Sequence, residues 1–172
     1  PRVRSLHAVI AACEKGLRLT NHIGLIAAAP SDYPELPALC DYLARQNAQV
    51  SFSSLRISSI TEQLLTLLNR SGQQTLTLAP ETGSERLRMA INKRITDEEI
   101  IAVVTYARHV GYQKIKLYIM IGLPGETDAD MQATVSCIKM IARLLPVRVS
   151  VTPFIPKPRT PYAAHTIAEK KV

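Results

Sequence analysis

Short β-type segments alternate with amphipathic helical segments along the whole chain. The apolar spacing predicts helices over residues 5–18, 36–43, 60–70, 84–90, 96–111 and 129–145, and strands over 23–29, 50–54, 75–80, 114–121 and 148–154. Ser59 with Glu62, and Thr96 with Glu99, have the spacing of capping boxes at two of the helix starts. This order is typical of repeated βα units, in which helical crossovers make the strands parallel.

Apolar and polar side chains alternate within the predicted strands. The strand over 114–121 places its isoleucines and Leu117 on one face, and Lys116, Tyr118 and Met120 on the other. Open parallel sheets with helices on both sides are usually apolar on both faces. A polar face therefore predicts an incomplete or wide barrel with a cofactor or substrate inside. The alternative is one half-solvated edge of an ordinary open sheet.

Composition and charge narrow the class of protein. The 172 residues are 47% hydrophobic and 20% charged, which indicates a compact domain and excludes a disordered chain. A net charge of +7 favours anionic partners. The apolar stretch over 23–30 is too short to span a bilayer and no leader opens the chain, so we expect a soluble, cytoplasmic protein without a membrane partner.

The three cysteines show neither metal-ligand spacing nor the pattern of a secreted disulfide framework. Cys13, Cys40 and Cys137 each occupy an apolar position of a predicted helix. Free cysteine is among the most buried residue types, so we expect three buried thiols and no metal ligand among them.

Candidate binding groups follow the strands, because parallel α/β folds bind ligands at the carboxyl ends of their strands. The Glu81 carboxylate can accept two hydroxyl hydrogen bonds from a sugar, although it could instead cap a helix or pair with Arg86. The Arg56 guanidinium suits a carboxylate or a phosphate. The turn at Gly122 offers backbone groups to a flat ring, and Lys116 is predicted to point into the barrel.

Five stretches of the sequence, taken together and in order, resemble the radical S-adenosylmethionine enzymes, specifically the B12-binding-domain type. These stretches are residues 31–34, 53–56, 77–88 with 91–93, 116–124 and 156–158. The resemblance implies a partial (β/α)6 TIM-like barrel with parallel strands. It also implies that a [4Fe-4S] cluster passes one electron to S-adenosylmethionine, which breaks into methionine and a 5′-deoxyadenosyl radical.

The cluster motif of that family, CxxxCxxC, is absent from this sequence. By the resemblance, the chain lacks the first strand and the cluster loop and retains strands two to six. We expect a barrel over 1–155 and a basic, proline-rich extension over 156–172. The parent protein would be the enzyme, with cobalamin as an optional further cofactor. This chain alone would be inactive, with its cluster ligands on the missing N-terminal part of the same polypeptide and its substrate unknown.

The resemblance also implies roles for individual residues. Glu81 and Ser53 match the groups that contact the ribose, and Arg56 is the candidate for the methionine carboxylate. Asp32 stands where the family has a Gly-Gly-Glu element. The remaining predicted cofactor-binding residues are the adenine shelf, Gly122 and Leu123, together with Ser84, Lys116 and Tyr118.

Two other interpretations remain open. Helix N-termini at Ser84 and Thr127, with the positive net charge, would also suit a non-catalytic partial barrel that binds a nucleotide or RNA. Alternatively, the chain is a piece stabilised by its missing half, because the strand over 23–29 would expose an unpaired edge.

Overall fold

Helices and strands alternate in the structure, a computed structural model that describes residues 3–27, 30–53 and 55–165. The helices are α1 (Leu6–Leu17), α2 (Leu36–Arg45), α3 (Glu62–Arg70), α4 (Glu85–Ala90), α5 (Asp97–Val110) and α6 (Asp128–Ala142). The strands are β1 (His22–Leu25), β2 (Gln49–Phe52), β3 (Thr75–Glu81), β4 (Lys114–Ile121) and β5 (Val147–Pro153). Within these described ranges, no helix is long and apolar enough to cross a bilayer.

All strand pairs in the described residues are parallel, which confirms the predicted α/β class. β1 pairs with β2, and a second sheet has the order β3-β4-β5. No ladder of backbone hydrogen bonds joins β2 to β3 in the part of the chain that the structure describes. The ends of two predicted strands, at residues 28, 29 and 54, lie outside the described residues.

Each sheet has its own apolar core. Leu39, Leu43 and Val50 belong to the core that α1, α2 and α3 form against β1 and β2. Leu76 and Leu117 belong to the core that α5 and α6 form against the other sheet. Leu55 packs against both cores. The three cysteines are buried, as predicted, and are distributed between the two cores.

The predicted division of the strand faces is confirmed in the middle of β4. Ile115, Leu117 and Ile119 are buried, whereas Lys116, Tyr118 and Met120 on the opposite face are half-buried or exposed. The prediction fails near the strand ends. Ile121 is 37% exposed and Val151 is 54% exposed, and neither belongs to the apolar core.

Most of the predicted caps are present. Ser84 caps α4, Thr96 and Glu99 form the predicted capping box of α5, and that helix ends at Gly111 with φ 100°. The box at Ser59 is wrong. Ser59 lies in a short 3-10 helix over Ile57–Ser59, so Thr61 is the N-cap of α3 and accepts a hydrogen bond from the backbone N–H of Leu64.

Candidate functional site

Polar residues gather where the strands end, at the same edge of the molecule. Asp32 follows β1, Ser53 and Arg56 follow β2, Glu81 ends β3 and Gly122 follows β4. Because the strands are parallel, their carboxyl ends share one edge, and this is where α/β folds place their ligands.

Asp32 and Arg56 form an exposed ion pair. Arg56 Nη1 lies 3.1 Å from Asp32 Oδ2, and the hydroxyl of Ser59 donates to Asp32 Oδ1 at 3.0 Å. The backbone N–H of Arg56 donates to the hydroxyl of buried Ser31 at 2.9 Å. The two predicted site residues are therefore brought together, and the Arg56 guanidinium would exchange or share its partner to bind a ligand. Ser53 lies exposed beside them, and its hydroxyl donates to the carbonyl of Ala27 at 3.3 Å.

Glu81 pairs with a residue that the sequence analysis gave no role. Lys93 Nζ donates to Glu81 Oε1 at 2.8 Å, and both side chains are partly buried. Arg86, the partner considered from the sequence, instead binds Asp130. Glu81 has φ 70°, and Asn92 beside Lys93 has φ 59°, so both backbones lie in the left-handed region. Strained backbone of this kind persists where the surroundings fix it, and it often marks a functional site.

A cavity of about 500 Å³ has one residue of each ion pair in its wall. Its walls come from the segment after β2 and from the loop after α4, so Arg56 and Lys93 both line it. Arg94 and Ser58 add polar groups, and Ala79 of β3 lies in its wall. The cation of each pair therefore lines the cavity, whereas its partner, Asp32 or Glu81, does not. Lys116 and Tyr118 do not line it either.

The turn after β4 is held closed by Glu126 and by Arg86 of α4. The backbone N–H of Gly122 donates to Glu126 Oε2 at 2.6 Å, and Arg86 Nη2 donates to the carbonyl of Gly125 at 2.8 Å. Gly122 and Gly125 have φ 77° and 76°, which favours glycine at both positions. Leu123 is buried, so of the two predicted shelf residues only Gly122 presents backbone near the surface.

Ser84 is buried, and its hydroxyl is engaged by the protein. It donates to Asp130 Oδ1 at 2.5 Å and accepts from the backbone N–H of Leu87. Asp130 also accepts from the Arg86 guanidinium. Thr134, one turn along α6, bonds both to Thr82 and to the backbone N–H of Gly83. Ser84 therefore anchors the turn after β3 to the start of α6.

We expect the acid stability of the chain to depend on Asp130. Hydrogen bonds from Arg86, then Ser84 and Thr127, hold the pKa of this carboxyl well below its usual value of 3.8. Its stabilising contribution is complete above that usual value and is lost as the pH falls through the lower folded-state pKa. Asp130→Asn should flatten the loss of stability below about pH 4, measured as urea midpoints from pH 2 to 7.

The matched control is Asp128→Asn, because Asp128 is an exposed acid in the same first turn of α6. This variant should keep the pH profile of the unmodified chain. Equal flattening in both variants would contradict the assignment to Asp130.

Arg88 is a buried charged residue that the sequence analysis did not single out. Its guanidinium donates to the carbonyls of Ile95 at 2.7 Å and Thr82 at 3.2 Å, and it also binds the carboxylate of Asp97. Thr82 adjoins Glu81, and Ile95 lies two residues after Lys93. Arg88 therefore fixes the two backbone segments that carry the Glu81–Lys93 pair.

The remaining predicted residues lie on the inner face of β4, away from the cavity. Lys116 Nζ donates to the Tyr118 hydroxyl at 2.7 Å and lies 4.6 Å from the centre of its ring. Tyr118 is 40% exposed. Both side chains lie on the face opposite the buried isoleucines, and their predicted direction into a barrel stays a prediction.

The cysteines do not form an iron-sulfur site. Cys13 and Cys40 belong to one core and Cys137 to the other, and no metal-binding group of three His, Cys, Asp or Glu residues occurs within the described ranges. Burial, with a smaller contribution from Asp41, raises the pKa of the Cys40 thiol to about 11. Burial likewise raises the pKa of Cys13 and Cys137. Cluster ligands are thiolates, so these residues do not fit that role.

The amino-acid sequence of the chain matches a known family. Residues 1–138 match the Radical SAM superfamily. The chain belongs to the Radical SAM superfamily. Reductive cleavage of S-adenosylmethionine with an iron-sulfur cluster is the general chemistry of this superfamily.

Two relatives are similar to this radical SAM chain over most of its length. An uncharacterized protein of Methanocaldococcus jannaschii is 37% identical over 165 residues, which cover 94% of this chain and 36% of that protein. Threonylcarbamoyladenosine tRNA methylthiotransferase of Thermotoga maritima is 23% identical over 151 residues, 86% of this chain and 31% of that enzyme. The chain thus spans about a third of the length of these relatives.

A solved structure supports the fold of the radical SAM chain. Coproporphyrinogen III oxidase (HemN) of Escherichia coli, a radical SAM enzyme, superposes with a TM-score of 0.57 at 20% identity. The match covers 81% of this chain and 33% of that enzyme. The parallel α/β arrangement is therefore similar to the radical SAM fold and consistent with a partial barrel.

Proposed function

We propose that this chain is the part of a radical SAM enzyme that binds S-adenosylmethionine at the carboxyl edge of its strands. The observation that carries the proposal is the cavity lined by Arg56 and Lys93, the partners of Asp32 and Glu81, in a chain of this superfamily. Both pairs combine a carboxylate with a cation, and S-adenosylmethionine presents both hydroxyl and charged groups.

The side chains at this edge suit the parts of that ligand. The Glu81 carboxylate accepts the ribose hydroxyls, with Ser53 as a further hydroxyl partner. Arg56 binds the carboxylate of the methionine moiety, and Asp32 its amino group. The backbone at Gly122 and Leu123 contacts the adenine. Ser84 acts on this site indirectly, because its hydroxyl is bonded to Asp130.

The cluster and the finer family type are a separate part of the proposal. The three thiols lie in two cores, which supports cluster ligands supplied from outside this sequence. The missing N-terminal part of the same polypeptide is the proposed source. The chain alone then binds S-adenosylmethionine without cleaving it. We assign the parent enzyme to the B12-binding-domain type, with cobalamin as an optional further cofactor, and place it in the cytoplasm.

The proline-rich extension is a second unit in this proposal, over residues 156–172 after a barrel over 1–155. The Tyr162 hydroxyl donates to the carbonyl of Ala90 at 3.0 Å, and the Tyr162 ring packs edge-on against Phe154 at 5.9 Å. These contacts support a segment that docks beside α4. Residues 166–172 lie outside the described residues.

Binding of S-adenosylmethionine tests the proposal directly. Calorimetric titration of the chain should give saturable binding, and Glu81→Gln should weaken it by about tenfold or more, because hydrogen bonds to a charged group contribute about 1.5–3 kcal/mol. Glu14→Gln changes an exposed acid on α1 and serves as the matched control. Absence of binding to the unmodified chain contradicts the proposal, and unchanged binding by the Glu81 variant contradicts the role of Glu81.

A second candidate function is nucleotide or RNA binding without catalysis. Two relatives have names that describe tRNA modification, the methylthiotransferase above and tRNA-2-methylthio-N(6)-dimethylallyladenosine synthase of Fervidobacterium nodosum. The latter is 33% identical over 69 residues, which cover 40% of this chain and 16% of that enzyme. The net charge of +7 also favours this function. The same titrations at two salt concentrations separate the candidates. Polynucleotide binding falls steeply with salt, whereas binding of S-adenosylmethionine should change little.

A further inference from the structure

In its first rows, the open face of the three-stranded sheet carries hydrogen-bond donors and cations but no carboxylate, and Glu81 lies only at the far end of β3. Lys116 of β4 lies level with Thr77 of β3 on one side and Arg148 of β5 on the other. The next row pairs Tyr118 with Ser150. Lys114 precedes Lys116 on the same face. We call this set the donor face: Thr77, Lys114, Lys116, Tyr118, Arg148 and Ser150.

The three cations of the donor face, Lys114, Lys116 and Arg148, are close enough to repel one another in the free chain. Level positions on neighbouring strands lie about 4.8 Å apart, and positions two residues apart on one strand lie about 6.6 Å apart. Like charges directly opposite each other on paired strands destabilise a sheet. Among the described residues, neither Lys114 nor Lys116 nor Arg148 forms an ion pair with an acid. A ligand that neutralised them would remove this cost.

The acids of the site are elsewhere, and they are engaged. Asp32 pairs with Arg56, Glu81 pairs with Lys93, and Glu126 accepts from the backbone of Gly122. All three lie at the carboxyl edge. Lys116 and Gly122 are six residues apart, which corresponds to about 20 Å along a strand. The donor face is therefore a separate part of the sheet surface, nearer the amino ends of the strands.

We propose that the donor face binds a phosphate group of the substrate of the enzyme proposed above. Lys116 Nζ and the Tyr118 hydroxyl, already 2.7 Å apart, and the Arg148 guanidinium are its principal contacts. A phosphomonoester carries a charge of about −1.5 to −2 near pH 7 and three acceptor oxygens. It can therefore bind several cations at once, which a ligand with a single carboxylate does less well. The substrate is accordingly an elongated phosphorylated compound, with its phosphate on the donor face and its reacting end towards Gly122, about 20 Å away.

Inorganic phosphate is the probe that tests this inference on the whole 172-residue chain. Titration followed by two-dimensional amide NMR should shift the resonances of the donor face saturably. Lys116→Gln and Arg148→Gln should each weaken binding by about tenfold or more, because charge-assisted hydrogen bonds are lost. Lys139→Gln, which changes an exposed lysine on α6, is the matched control and should bind phosphate normally. Acetate at the same concentrations should not produce these shifts.

Two further measurements keep this test separate from folding and from the proposed function. Arg148→Gln should unfold at or above the temperature of the unmodified chain, because it reduces repulsion between like charges. It should also bind S-adenosylmethionine normally, because Arg148 is not among the residues proposed to hold that ligand. Absence of phosphate binding, equal shifts with acetate, or unchanged phosphate binding by both variants overturns the inference. Phosphate binding without S-adenosylmethionine binding would instead overturn the proposed function and leave the phosphate site standing.

Discussion

Arg88→Met should destabilise the chain by about 3–5 kcal/mol, because it removes a buried guanidinium and leaves its acceptors without a partner. The Arg88 side chain is completely buried, and it binds two backbone carbonyls and the carboxylate of Asp97. A loss of this size is a large part of the stability of a small domain, which is about 5–15 kcal/mol. Urea unfolding followed by circular dichroism measures it.

Arg108→Met provides the comparison, since Arg108 is an exposed arginine in the last turn of α5. It should change stability by no more than about 0.5 kcal/mol. Arg88→Lys keeps the charge but not the planar guanidinium, so its loss of stability should lie between those of Arg88→Met and Arg108→Met. A loss for Arg88→Met no greater than that for Arg108→Met would show that the buried contacts contribute little.

Gly83→Ala should cost at least about 2 kcal/mol, because there is no room for a side chain at this position. A Cβ atom on Gly83 would overlap Thr134 Cα and lie 2.9 Å from Cys137 Cβ. Either the turn after β3 or helix α6 must then move, and the hydrogen bond from Gly83 to Thr134 would be lost with it. The free energy of unfolding in urea gives the magnitude.

Gly24→Ala tests whether any added methyl group has this effect. A Cβ at Gly24 would meet only the Ser51 hydroxyl, at an ordinary distance of 3.6 Å. Its stability should stay within about 1 kcal/mol of the unmodified chain. Similar losses in both variants would mean that close packing on α6 is not the cause.

The fold was largely predictable because its signals are local. The alternation along β4 depends only on neighbouring residues, and its bounds at Lys114 and Ile121 agree with the predicted strand. The capping box at Thr96 has the same local character. The error at Ser59 also has a local cause. Thr61 and Ser59 are both competent caps, and the 3-10 helix over Ile57–Ser59 leaves the position to Thr61.

The ion pairs of the candidate site were less predictable, because they join residues that sequence spacing does not relate. Glu81 and Lys93 meet only because the chain turns back after α4, and Asp32 meets Arg56 across two different strand ends. The capping role of Asp130 could have been predicted from the sequence, since Thr127 and Asp130 have the spacing of a capping box. Arg88 gave no such signal, because arginine in an amphipathic helix is usually exposed.

In the part of the chain that the structure describes, no ladder of backbone hydrogen bonds joins β2 to β3. One wall of the cavity belongs to the segment after β2, and the other belongs to β3 and the loop after α4. A molecule bound there would contact residues attached to both sheets, where no backbone hydrogen bonds join them in the described residues. With the ligand bound, the two sheets should unfold together. A ligand that requires both sheets to be folded raises the free energy needed to unfold either one.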